Sequence, residues 1–221
     1  MQVPTGLMAF WADIDDDYVD EFREWHNCEH MTERVSIPGF RVGYRYCGLD
    51  GAPMFLMFYE VDSPQVLKSE AYLGALNKPT PWTTRSLGHF RNPVRTIYNL
   101  MASEGQHAPT EAPYLHVTRF DLDAGDEEAW LRWYQDTYLP RLCDQEGIFR
   151  GRLYEVDQAI SGIKTSEQGV HGARPSGQRY CAVVEMADKD THRHDDMKDG
   201  CTNVVESIFW LDFVMHEECR P

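Results

Sequence analysis

The chain has 221 residues, 42% hydrophobic and 26% charged, the make-up of a soluble globular protein long enough for two domains of ordinary size. Thirty-six acidic side chains against 21 Lys and Arg leave a formal charge of −15, which argues against nucleic acid and anionic membrane as partners, since both are met by clustered basic groups. No basic segment leads into an apolar one and no 18-residue apolar run occurs. The six cysteines (28, 47, 143, 181, 201 and 219) show no Cys-x-x-Cys spacing. Neither a signal peptide, a membrane span, a disulfide framework nor a zinc ribbon is therefore expected, and a cytoplasmic location with reduced thiols is the plain reading.

In chain order, Gly6–Asp15 reads as a strand running into an acidic turn. Tyr18–Val35 reads as a helix, because Val19, Phe22, Trp25 or His26, and Met31 recur at three- and four-residue steps behind acidic N-terminal residues. Pro38-Gly39 ends it. Phe40–Cys47 and Met54–Val61 read as strands around a Leu49-Asp50-Gly51 turn, and Ser63-Pro64 opens a helix through about Asn77. A Pro-rich stretch, Lys78–Trp82, leads to a strand at Val94–Met101. Residues 102–113 are polar, carry Pro and Gly, and read as a linker. Beyond it, Tyr114–Leu122, Ile148–Val156, Tyr180–Met186 and Ile208–Met215 read as strands, with a helix over Asp126–Gln145. The polar segment between Lys189 and Cys201 gives only a faint helical pattern.

The second half echoes the first. At an offset of 108, residues 6–46 lie on 114–154 without a gap, and seven of the 41 pairs are identical, among them Trp25/Trp133, Gly39/Gly147, Gly43/Gly151 and Tyr46/Tyr154. Past that run, Phe-Tyr-Glu60-Val matches Val-Val-Glu185-Met at an offset of 125, which places 17 extra residues within Asp157–Gln178. A loop of that length is expected to be a lid or disordered. The expected organisation is a first repeat at 1–101, a linker at 102–113, and a second repeat at 114–221 with the inserted loop at 157–178. Each repeat has the β-α-β-β-α-β order of the ferredoxin-like arrangement, whose sheet keeps both helices on one face. The expected fold class is α+β: two tandem ferredoxin-like repeats packed sheet to sheet as a barrel within one chain. A further homodimer is allowed but not required.

The helix-end segment Trp25-His26-Asn27-Cys28-Glu29-His30-Met31-Thr32 is an aromatic pair, three variable residues, His and an apolar residue. Its counterpart Trp133-Tyr134-Gln135-Asp136-Thr137-Tyr138-Leu139-Pro140 keeps the aromatic pair and adds the Pro, with Tyr138 in place of the His. With the element order, this resembles the dimeric α/β-barrel superfamily and, within it, EthD-like proteins. The resemblance covers nearly the whole chain. It implies the fold; its members include cofactor-free monooxygenases, polyketide cyclases, decarboxylases, isomerases and haem enzymes, so it leaves the activity open.

His30 is the residue that signature points to. A histidine held by a neighbouring carboxylate moves protons near neutral pH, so His30 is the expected acid/base, with Glu29 or Glu33 orienting it and Tyr134 and Tyr138 supplying phenolic donors from the other half. Against this stands a helix-end role in which an imidazolium suits the dipole. His26, Trp11, Tyr44, Tyr46, Arg45, Tyr98, Arg119, Arg152 and Trp210, with Tyr59 and Tyr154, are the expected substrate-pocket residues, weighed against simple core packing. Arg41 is weighed as a carboxylate anchor against a solvated strand residue. His26-Asn27-Cys28-Glu29-His30 also matches a His-x-x-Glu-His metal pattern, yet nothing marks His89, His116 or His216 as a third ligand. The cluster His192–Asp196 sits in a charged stretch that reads as solvated surface.

The expected function is a cofactor-independent lyase, decarboxylase or isomerase acting on a small aromatic or enolisable acid or ketone. One alternative is a non-catalytic carrier of an apolar ligand or haem. A lesser one is a metal-dependent enzyme using His26 and His30.

Overall fold

The computed structural model describes residues 3–123, 125, 127–191, 197 and 199–217; the His192–Asp196 cluster and Cys219 lie outside the described residues. Eight antiparallel strands close into a barrel in the order β1-β3-β2-β8-β5-β7-β6-β4. The first half supplies β1 (Gly6–Ile14), β2 (Phe40–Leu49), β3 (Phe55–Val61) and β4 (Phe90–Gly105), and the second supplies β5 (Tyr114–Leu122), β6 (Ile148–Val156), β7 (Tyr180–Met186) and β8 (Cys201–His216). Pairings β2·β8 and β4·β6 join the halves. The last strand of each half is 16 residues long, well past the hydrophobic runs that mark it in sequence, because these strands pair with the other half as well as their own.

The expected long helix is present with an interruption. α1 (Val19–Trp25) and α2 (Met31–Val35) flank a π turn over His26–His30, in which the Met31 N–H donates to the His26 carbonyl. α5 (Glu127–Trp133) and α6 (Leu139–Cys143) flank a π turn at Tyr134–Tyr138. Such single-turn bulges insert one extra residue and recur at functional sites. A Cβ on Gly43 would collide with Met31 and the Tyr59 ring, and one on Gly151 with Leu139, so both glycines let a helix lie close on its sheet. Gly39 and Gly147 both turn the chain at φ +94 and +85.

The second helix of the first half differs from expectation. A 3-10 turn at Pro64–Lys68 precedes α3 (Glu70–Leu76), and α4 (Pro81–Leu87) forms where the Pro-rich stretch suggested none. Pro81 sits at the first turn of α4, where its missing N–H costs nothing, and Thr80 caps the helix.

Alternation along the strands divides the interior in two. Inside the barrel lie Trp11, Tyr44, Tyr46, Phe58, Tyr98 and Tyr154, with Leu and Val side chains of both halves. Outside it, under the helices of each half, lie separate cores around Phe22, Trp25, Tyr59 and Phe90, and around Trp130, Tyr134, Tyr138 and Tyr180. The barrel interior also holds a buried ionic cluster. Arg150 and Arg152 bridge the carboxylates of Glu60 and Glu185: Arg150 Nη2 lies 3.0 Å from Glu60 and 2.5 Å from Glu185, Arg152 Nη2 lies 2.8 Å from Glu185, and Arg152 Nη1 also bonds Glu60. Burial opposes ionisation of Glu60, but Arg152 and Arg150 together hold it below the usual carboxylate range.

The inserted segment is ordered. Asp157–Gln178 folds as α7 (Gln158–Ser161) and α8 (Ser166–His171) and crosses to the first half, because β6 lies beside β4. Ser161 Oγ accepts from the Ile97 amide (2.9 Å), the Arg95 amide donates to the Arg174 carbonyl (3.0 Å), and the Ser176 amide donates to Thr96 Oγ1 (2.7 Å). Among the described residues, no helix is long and apolar enough to cross a membrane, and Cys28, Cys47, Cys143, Cys181 and Cys201 are free.

Candidate functional site

His26, His30 and Arg34 fall four residues apart, on the side of the helix that faces the outer surface of the first sheet. They border a small space of about 30 Å³, room for about two water molecules. The sheet contributes Met8, Phe10, Met57 and Tyr59; α3 and α4 contribute Tyr72, Leu76 and Leu87; the inserted segment closes it with Thr165, Glu167 and His171.

The polar groups form a directed chain. Arg45 Nη1, a permanent donor, lies 3.3 Å from His26 Nδ1, so this nitrogen accepts. The neutral ring then carries its proton on Nε2, 3.2 Å from the Tyr59 hydroxyl, which accepts it and keeps its own proton free to donate. Burial, then Arg45 and Arg34, hold the His26 pKa well below 6.5, consistent with a neutral ring. Arg45 is itself anchored by Asp212 and Asn27, both at 2.7 Å.

His30 packs its ring 4.4 Å from that of Trp25 and 5.7 Å from that of His26. Its Nδ1 is buried with no hydrogen-bond partner. Burial, followed by Arg34, His26 and His171, pushes its pKa well below 6.5, so it is a neutral imidazole at pH 7. Arg34, 1% exposed, joins helix to insertion, with Nη1 2.7 Å from Glu33 and Nη2 2.5 Å from Glu167. Burial raises the Glu167 pKa despite the opposing pull of Arg34. The His171 ring accepts the Ala173 amide at Nδ1 (3.0 Å), and burial plus Arg95 push its pKa down to about 4.

Three histidines with lowered pKa values make stability depend on pH. Between each lowered folded value and the unfolded value of 6.5, the unfolded chain binds the proton and the folded chain does not. Stability is therefore expected to be full above about pH 6.5 and to fall as pH drops below it, by at most about 1.4 kcal/mol per pH unit for each histidine. Urea unfolding at pH 5, 6 and 7 measures this slope, and His171→Phe should remove one proton's share of it.

The other expected site residues separate by face. Trp11, Tyr44, Tyr46, Tyr98 and Arg152 point into the barrel, on the opposite side of the sheet from His30. Arg119 stacks on Trp11 with its guanidinium carbon 4.5 Å from the ring centre, and Trp210 is 39% exposed. Period-two alternation in β2 sends Tyr44 and Tyr46 inward and Arg45 outward, so these residues cannot share one pocket. Tyr134 and Tyr138 lie under the second half's own helices and do not meet His30. Glu29 does not orient His30 either: its Oε1 accepts from the Thr80 and Thr83 hydroxyls at 2.6 and 2.8 Å, which ties α4 to the helix. Arg41 is engaged at the surface by Asp62 and Glu217, and His89 and His216 pair with Asp15 and Glu111. Arg34, Glu167 and His171 were not expected. Arg34 had a signal, one turn beyond His30 on the same face; Glu167 and His171 had none, being brought in by the β4·β6 pairing.

No protein-family model matches the chain, and no curated protein matches it. Among solved structures, it is similar to an anthrone oxidase-like protein (TM-score 0.65, 8% identity, 99% of this chain and 95% of that one). It is also similar to a candidate monooxygenase from Fusobacterium nucleatum (TM-score 0.63, 8% identity, 98% and 96%). A third likeness is to a chlorite dismutase variant from Candidatus Nitrospira defluvii (TM-score 0.57, 10% identity, 96% and 93%). These likenesses show the fold alone: an eight-stranded barrel of the dimeric α/β-barrel type, closed here within one polypeptide.

Proposed function

We propose that the chain is a cofactor-independent enzyme of small-molecule catabolism that moves a proton on an enolisable aromatic ketone or acid, in the helix-side cavity of its first half. The observation that carries this reading is the pairing, within one largely apolar cavity, of an unpartnered neutral imidazole, His30, with a phenol, Tyr59, whose proton is free. His30 takes the proton from the carbon beside the carbonyl, and Tyr59, fed by His26 and Arg45, donates to the oxygen on which negative charge develops. Arg34 favours the same anion through its charge. Burial raises the Tyr59 pKa, so the phenol stays protonated and able to donate. The depressed His30 pKa keeps the base form present at neutral pH, so the rate should be flat above about pH 6.5.

At about 30 Å³ this space is far below the roughly 300–1,000 Å³ of pockets for drug-sized ligands. Substrate entry therefore requires α8 to withdraw, and the inserted segment acts as a lid whose latch is Arg34–Glu167. The conserved offsets of Trp25/Trp133 and Gly43/Gly151, together with the paired π turns, support descent of the two halves from one EthD-like unit; one half has kept histidines where the other has Tyr134 and Tyr138.

The test is deuterium exchange at the acidic methylene of 2-tetralone in D₂O, followed by proton NMR with the purified chain. Exchange well above the buffer rate is expected. Exchange at the buffer rate across a panel of such ketones would remove the proton-transfer reading.

A further inference from the structure

One nitrogen of His30, one oxygen of Glu33 and one oxygen of Glu167 lie within 4.8 Å of one another, the first two residues on the helix and the third on the inserted segment. Arg34 occupies Oε2 of Glu33 and Oε1 of Glu167, and the second oxygen of each carries no hydrogen bond among the described residues. Two carboxylates thus share one guanidinium, beside an imidazole whose buried Nδ1 has no partner.

We propose that His30, Glu33 and Glu167 form a divalent-cation site of the zinc class that clasps the inserted segment to the helix. One imidazole and two carboxylates are a donor set that zinc accepts, leaving a fourth position for water. Tetrahedral ligands at about 2.0–2.2 Å from zinc lie about 3.3–3.6 Å apart, so any longer separation among the three donors must close. Rotation of the Glu33 side chain, 35% exposed, allows such a movement. An ion there would give the His30 imidazole, whose Nδ1 has no partner, a ligand shared with both carboxylates.

Occupancy has a consequence that rests on the proton-transfer reading above. An ion on His30 takes the lone pair that would receive the substrate proton, and it ties down the lid. Zinc is therefore expected to inhibit the exchange reaction and to raise thermal stability, since a ligand that binds only the folded state favours it.

The experiment is titration of the intact metal-free chain with zinc sulfate against a chromophoric chelator, with no organic substrate present, so that its outcome is independent of any catalysis. One zinc per chain at micromolar concentration is expected, weakened at least tenfold in Glu167→Gln and in Glu33→Gln. Circular dichroism confirms that each variant is folded; the exposure of Glu33 makes its variant the safer one. A His192→Ala/His194→Ala double variant controls for the histidine-rich stretch and should bind as the parent does. No binding tighter than millimolar would overturn the proposal. So would tight binding that survives both glutamate substitutions, including binding lost in the double-histidine variant. Zinc binding with these dependences, in a chain that never exchanges 2-tetralone, would uphold the metal site and remove only the proton-transfer reading.

Discussion

His30→Ala is expected to slow deuterium exchange of 2-tetralone by roughly 10²–10⁴-fold, the usual worth of a positioned general base. The protein should remain folded, because the helix is held independently: Trp25 Nε1 donates to Thr83 at 3.1 Å and Glu29 anchors both Thr80 and Thr83. Tyr59→Phe should cost less, about 1–3 kcal/mol in the barrier, since it removes one hydrogen bond to the developing oxyanion and leaves the ring packing intact. His26→Phe should resemble Tyr59→Phe, as His26 acts only through the phenol. Tyr138→Phe, in the other half, should leave the rate unchanged. If His30→Ala exchanges within twofold of the parent, His30 is a buried helix residue and the base lies elsewhere.

The second large effect concerns stability. Arg152→Met should destabilise the fold by about 3–5 kcal/mol, because it leaves Glu60 and Glu185 sharing Arg150 alone in a region where an unpaired charge is poorly solvated. Arg152 also donates to Tyr154 at 2.9 Å and lies over Phe58, so the loss extends beyond one ion pair. Combining Arg152→Met with Glu60→Gln should recover part of the loss, since the second change removes the charge that the first left uncompensated. Urea unfolding of the two single variants and the double gives the coupling. If all three are within about 1 kcal/mol of the parent, water reaches the cluster through the open barrel end near His107, and the network contributes little to stability.

The strands and the two main helices are legible in the sequence because their signals are local: alternation in Phe40–Cys47, helical spacing from Val19 to Met31, Pro-Gly at a helix end. Tyr114–Leu122, Ile148–Val156 and Tyr180–Met186 are found at the bounds the pattern predicts. α4 has no clear periodic signal, because its start lies in the Pro-rich stretch, where Pro81 occupies the first turn of the helix. The π turns have no compositional mark, since a helix with one extra residue keeps a nearly helical spacing.

The site was legible only on its own helix. His26 and His30 stand out as a pair, and Arg34 continues their row. What the sequence could not show is which aromatic and arginine residues face them: alternation tells which residues share a strand face, but not which face lies under the helices. Tyr59 therefore looks like Tyr44 and Tyr98 in sequence, yet these point to the other face. Glu167 joins Arg34 across 133 residues through a strand pairing with no local trace. Glu60 and Glu185 were visible as matching positions in the two halves, yet their shared partners, Arg150 and Arg152, come from one half alone.

Methyl NMR of the protein labelled with [methyl-¹³C]methionine, titrated with 2-tetralone, tests most directly where the site lies. Met8 and Met57 line the cavity beside His30, whereas Met186 and Met197 are buried in the core of the second half. The methyl signals of Met8 and Met57 should shift in a saturable way while those of Met186 and Met197 stay in place. Shifts confined to Met186 and Met197, or no saturable shift in any of the four, would contradict a working site under the helices of the first half.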